Sequence, residues 1–219
     1  MTEHSLHTDI KNWYSVKGAK VETKVQNFII DVKKEGLLIE IQTRNFFPIK
    51  PKLIKLLSTN QVRLVYPIAK IKWIVHVSKS GEFIKKRKSP KKGKTIDLFN
   101  EMVHISELFN HENFSFEVML IEEEELRCDD GKGNWRRKGV SIKDRKLLKV
   151  FKTILFKSKN DFLNFLPHNF DELFTNRKIA KNLKISLRLA RKITYCLRKM
   201  NLLTIVGKRK REFLFKINK

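Results

Sequence analysis

Asp31 and Glu40 are the residues whose types and spacing most directly suggest chemistry. Residues 22–33 (ETKVQNFIIDVK) and 37–44 (LLIEIQTR) read as strands, and Lys34-Glu35-Gly36 between them reads as a tight turn, so the pair forms an antiparallel hairpin. Side chains alternate along a strand. Leu37, Ile39, Ile41 and Thr43 therefore share one face, and Leu38, Glu40, Gln42 and Arg44 share the other. On the preceding strand, Phe28, Ile30 and Val32 lie opposite in sense to Ile29 and Asp31. A turn centred near Glu35 sets Asp31 roughly opposite Glu40. Two carboxylates about 5 Å apart across strands repel at a cost of up to ~1 kcal/mol. A divalent cation turns that penalty into a site, and Mg²⁺ accepts one or two carboxylates together with waters and phosphate oxygens.

The elements around the hairpin follow from periodicity. Residues 3–14 read as a helix with Leu6, Ile10 and Trp13/Tyr14 on one face; His7 is expected at the surface. Residues 48–58 suit a helix with its prolines in the first turn. Residues 61–67 and 71–78 read as strands, 78–94 as a basic loop or hairpin tip, 96–109 as a helix and 114–124 as a strand. Asp129-Asp130-Gly131 opens a turn and lacks the later Glu of a calcium loop. From about 142 the apolar residues Leu147, Leu148, Phe151, Ile154 and Leu155 fall at helical spacing. The expected fold is α+β or α/β, a mixed sheet with flanking helices over residues 1–145 and a second domain over 146–219.

That second domain has a local grammar of its own. Thr175 is placed to cap a helix over 176–183, Lys184-Ile185 to turn, and Ser186 to cap a helix over 187–200. Ala190, Ile193, Leu197 and Met200 face a core, whereas Arg188, Arg191, Lys192, Tyr195, Arg198 and Lys199 occupy the other face. Two short strands follow, 202–206 and 212–217, joined by Gly207-Lys208-Arg209-Lys210-Arg211. Helix, turn, basic helix and basic-tipped hairpin resemble a winged helix-turn-helix over about residues 145–219. The resemblance implies that the second helix enters the major groove of DNA while the hairpin tip grips phosphates. A winged helix that packs against another protein is the alternative.

Asp31, a hairpin turn and then Glu40-Ile41-Gln42 resemble the active-site signature of the PD-(D/E)XK nuclease superfamily, over about residues 1–75. The resemblance implies that Asp31 and Glu40 hold Mg²⁺ or Mn²⁺ together with the backbone carbonyl of Ile41. Gln42 stands where the family usually has the Lys that orients the attacking water; it supplies no charge, which leaves more of the water activation to the metal. Glu3 on the first helix is the implied supporting carboxylate, His7 lies one turn further along that helix and could face the same site, and Arg44 is placed to steady the scissile phosphate. The function expected is metal-dependent endonucleolytic hydrolysis of DNA. The alternatives are a non-catalytic DNA-binding protein on the same fold, and an RNA-processing factor without the paired aromatic strand motifs of common single-strand RNA readers.

Charge points to the same partner. The 219 residues carry 48 Lys/Arg against 23 Asp/Glu, a net charge of +25. Residues 150–219 alone hold 18 Lys/Arg against 4 Asp/Glu. Nucleic acid is the obvious polyanion, double-stranded DNA first; a Lys-rich proteome is the bland alternative. Lys86, Arg87 and Lys88 head a dense tract that runs to Lys94, which suits a DNA path, and Trp135-Arg136-Arg137-Lys138 suits a phosphate contact. Glu122–Glu125 is an acidic run placed to fold over the basic tract. Cutting both strands with one site per chain requires a homodimer or two successive nicks. No apolar run is long enough to span a membrane, and the N-terminus lacks the layout of a secretion signal. Cys128 and Cys196 stand far apart, without metal-ligand spacing or a disulfide framework, which suits a reducing cytoplasm, or a bacterial nucleoid. Serine or cysteine nucleophile arrangements and glycine-rich phosphate loops are absent.

Overall fold

A computed structural model describes residues 5–15, 18–167 and 172–218. The fold is mixed α/β, built on one large sheet flanked by helices. In chain order the elements are α1 (Ser5–Tyr14), β1 (Lys20–Val25), β2 (Phe28–Lys34), β3 (Leu37–Ile41), α2 (Lys50–Leu57), β4 (Gln61–Val77), β5 (Phe83–Lys88), α3 (Phe99–Met102), β6 (Phe114–Asp129), β7 (Val140–Phe156), α4 (Asn176–Leu183), α5 (Leu187–Lys199), β8 (Leu203–Arg209) and β9 (Glu212–Ile217). The sheet runs β1-β2-β3-β4-β6-β7, with β5 paired to β4 and β8-β9 as a separate hairpin.

Contacts divide the chain into two compact units. The first comprises Met1–Thr43, Val65–Thr95 and Val118–Ile154. Its core lies where Leu6, Ile10 and Tyr14 of α1 meet Val32 of β2, Ile39 and Ile41 of β3, Val65 of β4 and Met119 and Ile121 of β6. The three α1 residues are four apart and form one stripe, and burial of each aliphatic side chain is worth about 1.5–3 kcal/mol. Polar ties fix the helix further. Ser5 donates its N–H and its hydroxyl to the Asp144 carboxylate at 2.9 and 2.5 Å, and the Leu147 N–H donates to Asp9 Oδ2 at 2.9 Å. The β4–β6 neighbours Lys72–Glu123 (2.8 Å) and Ser78–Cys128 (3.4 Å) advance together, so these strands run in the same direction.

The second unit comprises Arg44–Leu64, Ile96–Glu117 and Leu155–Lys219. Its core is phenylalanine-rich: Phe162 stacks on Phe156 with ring centroids 4.6 Å apart and meets Phe109 edge-on at 4.6 Å. Thr175 caps α4 by accepting from the Lys178 N–H, and Ser186 caps α5 by accepting from the Leu189 N–H. Lys184 (φ 50) makes the left-handed stop between the helices. A single bridge joins Phe174 to Phe215 of β9.

Several expected elements differ. The segment read as one strand over 22–33 reverses at Gln26 (φ 54) and forms two antiparallel strands, Val25 pairing with Phe28. The two strands expected over 61–78 are one, β4, and the helix expected over 96–109 is broken into 3-10 turns around the four-residue α3. The basic segment 78–94 contains strand β5, exposed along its whole length. The largest difference is β7: residues 142–155 form a strand, not a helix, and that strand runs through the expected 145/146 boundary. The apolar spacing fits a helix, but pairing with β6 satisfies the backbone of a segment rich in β-branched residues, and that non-local pairing prevails.

Candidate functional site

The β2–β3 hairpin turns on Glu35 (φ 49) and Gly36 (φ 81), a two-residue loop with both φ values positive that locks the register. Lys34 pairs with Leu37, Lys33 with Leu38 and Val32 with Ile39. The pairing ends there, one step short of Asp31 and Glu40. There the ladder opens: the Ile41 N–H donates to the Asp31 side chain, Oδ2 at 2.8 Å. The Ile41 carbonyl, pointing into the same opening, lies 3.0 Å from His7 Nε2, which is also 3.2 Å from Asp31 Oδ2. Both oxygens are acceptors, so Nε2 carries the proton. Both oxygens thus converge on the His7 ring nitrogen, beyond the last paired residues of the hairpin.

Glu40 is the next residue along β3 and is buried, 2% exposed, while the side chains of Asp31 and His7 keep 18% and 22% exposure. Gln42 is half-buried, and its N–H donates to the Val65 carbonyl at 2.9 Å, tying β3 to β4. Of the residues predicted from sequence, Asp31, Glu40, Ile41 and Gln42 lie together in the first unit. Arg44 is exposed and belongs to the second unit. Glu3 lies outside the described residues. His7, expected as a surface histidine, is instead seated in the opening; its neighbour Leu6 is fully buried, and that burial directs the first turn of α1 toward β3. Among the described residues no group of three or more His, Cys, Asp or Glu side chains is arranged to hold a metal. The polar atoms that the structure brings together here are the Asp31 carboxylate, the Ile41 carbonyl and N–H, and His7 Nε2.

Basic surface lies on three elements. On α5, Arg188, Arg191, Tyr195, Arg198 and Lys199 are exposed, and the first four are spaced along one stripe. Lys192 differs from its expected role: it is half-buried, and its ammonium donates to the carbonyl and side-chain oxygens of Asn100 at 3.2 and 3.0 Å. A cleft of about 460 Å³ runs beside Arg188, Arg191 and Tyr195, with Val103 and His104 as its other wall. The β8–β9 hairpin turns on Lys210 and Arg211, and these two with Arg209 and Arg177 line a second depression of about 380 Å³; Lys208 lies over the Phe213 ring. On β5, Lys86 donates to Glu124 at 2.7 Å, and Lys86 and Lys88 both lie over the Trp73 ring, while Arg87 is exposed. The acidic run therefore meets the basic tract only through alternate residues. Glu123 and Glu125 turn inward, to Lys72, Arg127 and Arg145.

Neither cysteine is a nucleophile: both are buried thiols, and burial pushes Cys196 up to about 12. Burial, with Lys85, Arg127 and Arg87 nearby, holds His76 below the ordinary histidine range, so it is neutral near pH 7. No helix among the described residues is long and apolar enough to cross a membrane.

A family described as a domain of unknown function, DUF8091, matches residues 4–157. The chain belongs to this family. The DUF8091 match takes in α1 through β7, and with them His7, Asp31, Glu40, Ile41 and Gln42, whereas α4, α5, β8 and β9 lie beyond it. A protein of Treponema pallidum (strain Nichols), described as uncharacterized, is 32% identical over 180 residues, which cover 82% of this chain and 72% of that protein. No solved structure matches the chain.

Proposed function

We propose that this DUF8091 protein is a metal-dependent DNA endonuclease of PD-(D/E)XK type that holds duplex DNA with a winged helix-turn-helix. One observation carries the reading: the hairpin ladder ends at Val32 and Ile39, and just beyond it the Asp31 carboxylate and the Ile41 carbonyl lie side by side, both within 3.2 Å of His7 Nε2. The element order α1-β1-β2-β3-α2-β4 also supports it, with a helix before the hairpin and a helix then a strand after it. Asp31, Glu40 and the Ile41 carbonyl would hold Mg²⁺ or Mn²⁺, which supplies charge neutralisation at the phosphate and a more acidic water. Gln42 offers an amide that both donates and accepts, which orients that water. His7 holds Asp31 and the Ile41 carbonyl in place. The α4-turn-α5-hairpin order, with the Phe174–Phe215 bridge beside the hairpin, supports the winged-helix reading. Arg188, Arg191, Tyr195 and Arg198 then face the major groove, and Lys208–Arg211 contact phosphates.

Incubation of the purified protein with supercoiled plasmid tests the hydrolase. Nicking or linearisation in Mg²⁺ or Mn²⁺, and none in EDTA, is expected; intact plasmid in both metals sinks it. The burial of Glu40 and the neutral Gln42 favour a second reading, a protein of the same fold that binds duplex without cutting. Intact plasmid with tight duplex binding would establish that reading.

Two binding results are expected under either reading. With about 6–8 phosphates neutralised, duplex affinity falls about 10³- to 10⁴-fold between 50 and 200 mM salt; a flat salt response measured by anisotropy removes the polyanion. Arg188→Ala and Arg191→Ala each weaken duplex binding about tenfold, the loss of one groove or phosphate contact. Unchanged affinity in both variants would take α5 out of the interface.

A further inference from the structure

Trp135 has no role in the reading above, yet it is 79% exposed, the most of any large apolar side chain among the described residues. It stands at the tip of the β6–β7 ribbon, on a turn held by its own hydrogen bonds. The Asn134 side chain accepts from the Arg136 N–H at 2.9 Å, and the Asn134 carbonyl accepts from the Arg137 N–H at 2.8 Å. Lys138, in the left-handed region at φ 51, closes the turn by donating to the Trp135 carbonyl at 2.9 Å. Gly133 donates to the Gly139 carbonyl at 2.8 Å, and the two chains approach so closely that a Cβ on Gly133 would lie 1.9 Å from the Val140 oxygen. At the base, Asp130 accepts from the Lys132 N–H at 3.0 Å, from the Ser141 hydroxyl at 3.0 Å and from the Lys143 ammonium at 2.6 Å. This is a fixed platform with an indole on top.

The surroundings of the indole indicate what it meets. The Arg136 guanidinium lies 5.3 Å from the ring centroid, and Lys132, Arg137 and Lys138 follow within the same few residues. Asp130 is engaged by Lys143 and Asp129 is exposed at the base of the loop, so over residues 129–138 four cations (Lys132, Arg136, Arg137, Lys138) stand against two carboxylates. An aromatic face amid cations matches a nucleotide, with its base stacked on the ring and its phosphates beside the cations. A base inside a duplex has both faces covered by its neighbours, so the match is to an unpaired base. We propose that Trp135 is a stacking platform for an unpaired nucleobase, with Arg136, Arg137 and Lys138 taking the flanking phosphates. The inference rests on the nucleic-acid part of the function above and is independent of cleavage.

Anisotropy titrations of the full chain in EDTA test it, with four labelled probes: single-stranded DNA, RNA of the same sequence, a blunt duplex, and that duplex with a single-stranded overhang. Trp135→Ala is expected to weaken binding of the overhang and of at least one single strand about 5- to 150-fold. Trp135→Phe keeps most of that affinity, and the blunt duplex binds within about twofold of wild type. A loss confined to DNA or to RNA supports the platform and names its ligand. The proposal is overturned if the wild type binds no single strand, if Trp135→Ala binds the overhang as tightly as wild type, or if it loses the blunt duplex to the same extent. Because Trp135 is exposed, an unchanged melting temperature verifies that the variant is folded. Plasmid cutting in Mg²⁺ is scored separately, so failure of the hydrolase and failure of the platform give different results.

Discussion

Asp31→Asn is expected to reduce Mg²⁺-dependent cleavage by at least about 10³-fold while leaving duplex affinity within about twofold. This side chain has two separable jobs. Asp31 Oδ2 accepts the Ile41 N–H at 2.8 Å, and the amide oxygen of asparagine can accept it equally, so the opening between β2 and β3 persists. The negative charge does not persist, and a hard cation depends on it. Loss of a group that only orients a ligand already costs about 10- to 100-fold, and loss of the ligand's own charge costs more. Glu40→Gln should behave in the same way. Rates of plasmid nicking over a Mg²⁺ series, with duplex anisotropy on the same preparations, measure both quantities. Cleavage surviving in both variants would mean that hydrolysis, if present, originates elsewhere in the chain. Loss of cleavage together with loss of DNA binding would mean that the substitution disturbs the fold rather than the chemistry.

Arg145→Ala is expected to destabilise the protein by about 3 kcal/mol, a drop of about 6–12 °C in Tm. Glu123 is fully buried, with Arg145 Nη2 at 2.6 Å from one oxygen and Lys72 Nζ at 2.8 Å from the other. Removing one partner of a buried charge leaves that charge incompletely compensated, which costs about 3–5 kcal/mol; Lys72 keeps the cost near the lower end. Replacing Glu123 and Arg145 together by methionine should recover most of the loss, because the buried charge goes with its partner. A change below about 0.5 kcal/mol for Arg145→Ala would show that water, not arginine, balances Glu123. The neighbouring Glu125 adds a pH signature. Burial alone would raise its pKa, but the Lys72 charge and the hydrogen bonds from Lys72 and Arg127 outweigh burial and hold it below the ordinary carboxylate value. Its contribution is therefore fully present above about pH 4.5 and is lost as pH falls through the lower folded value. Thermal unfolding followed from pH 7 to pH 3 should show a plateau and then a fall, with a smaller fall in Lys72→Met.

Particular residues show how far a one-dimensional reading reaches. The pairing of Val32, Lys33 and Lys34 with Ile39, Leu38 and Leu37 is legible because Lys34-Glu35-Gly36 announces a two-residue turn, and such a turn dictates the register of the residues beside it. Thr175, Ser186 and the Lys184 stop were legible for a similar reason, since a cap bonds to an amide two or three residues away. His7 was legible only as one of two readings, facing the site or the solvent. Its contact with the Ile41 carbonyl spans 34 residues, and nothing within one turn of His7 distinguishes it from a surface histidine. Glu122–Glu125 looked like one acidic run, whereas β6 divides it, with alternate residues serving opposite faces of the sheet. Residues 142–155 were misread because their apolar spacing satisfies a helix and a strand, and only the presence of β6 alongside selects between them. The phenylalanine core could not be read at all, because Phe109, Phe156 and Phe162 touch only after β6 and β7 have paired.

What the chain order alone settled was the basic balance, the two-residue reversal at Glu35-Gly36, the register of the residues next to it, and the capped helices near the C-terminus. Each depends on backbone preferences and hydrogen bonds that reach no more than a few residues. The folded molecule settled the rest: the ladder that opens at Ile41, the histidine seated in it, the buried carboxylates of Glu123 and Glu125 matched to half-buried cations, and the strand identity of β7. Those features depend on which distant segment lies alongside. A buried charge or an interrupted strand pair is tolerated only when a specific non-local partner meets it, and no short window of sequence contains that partner.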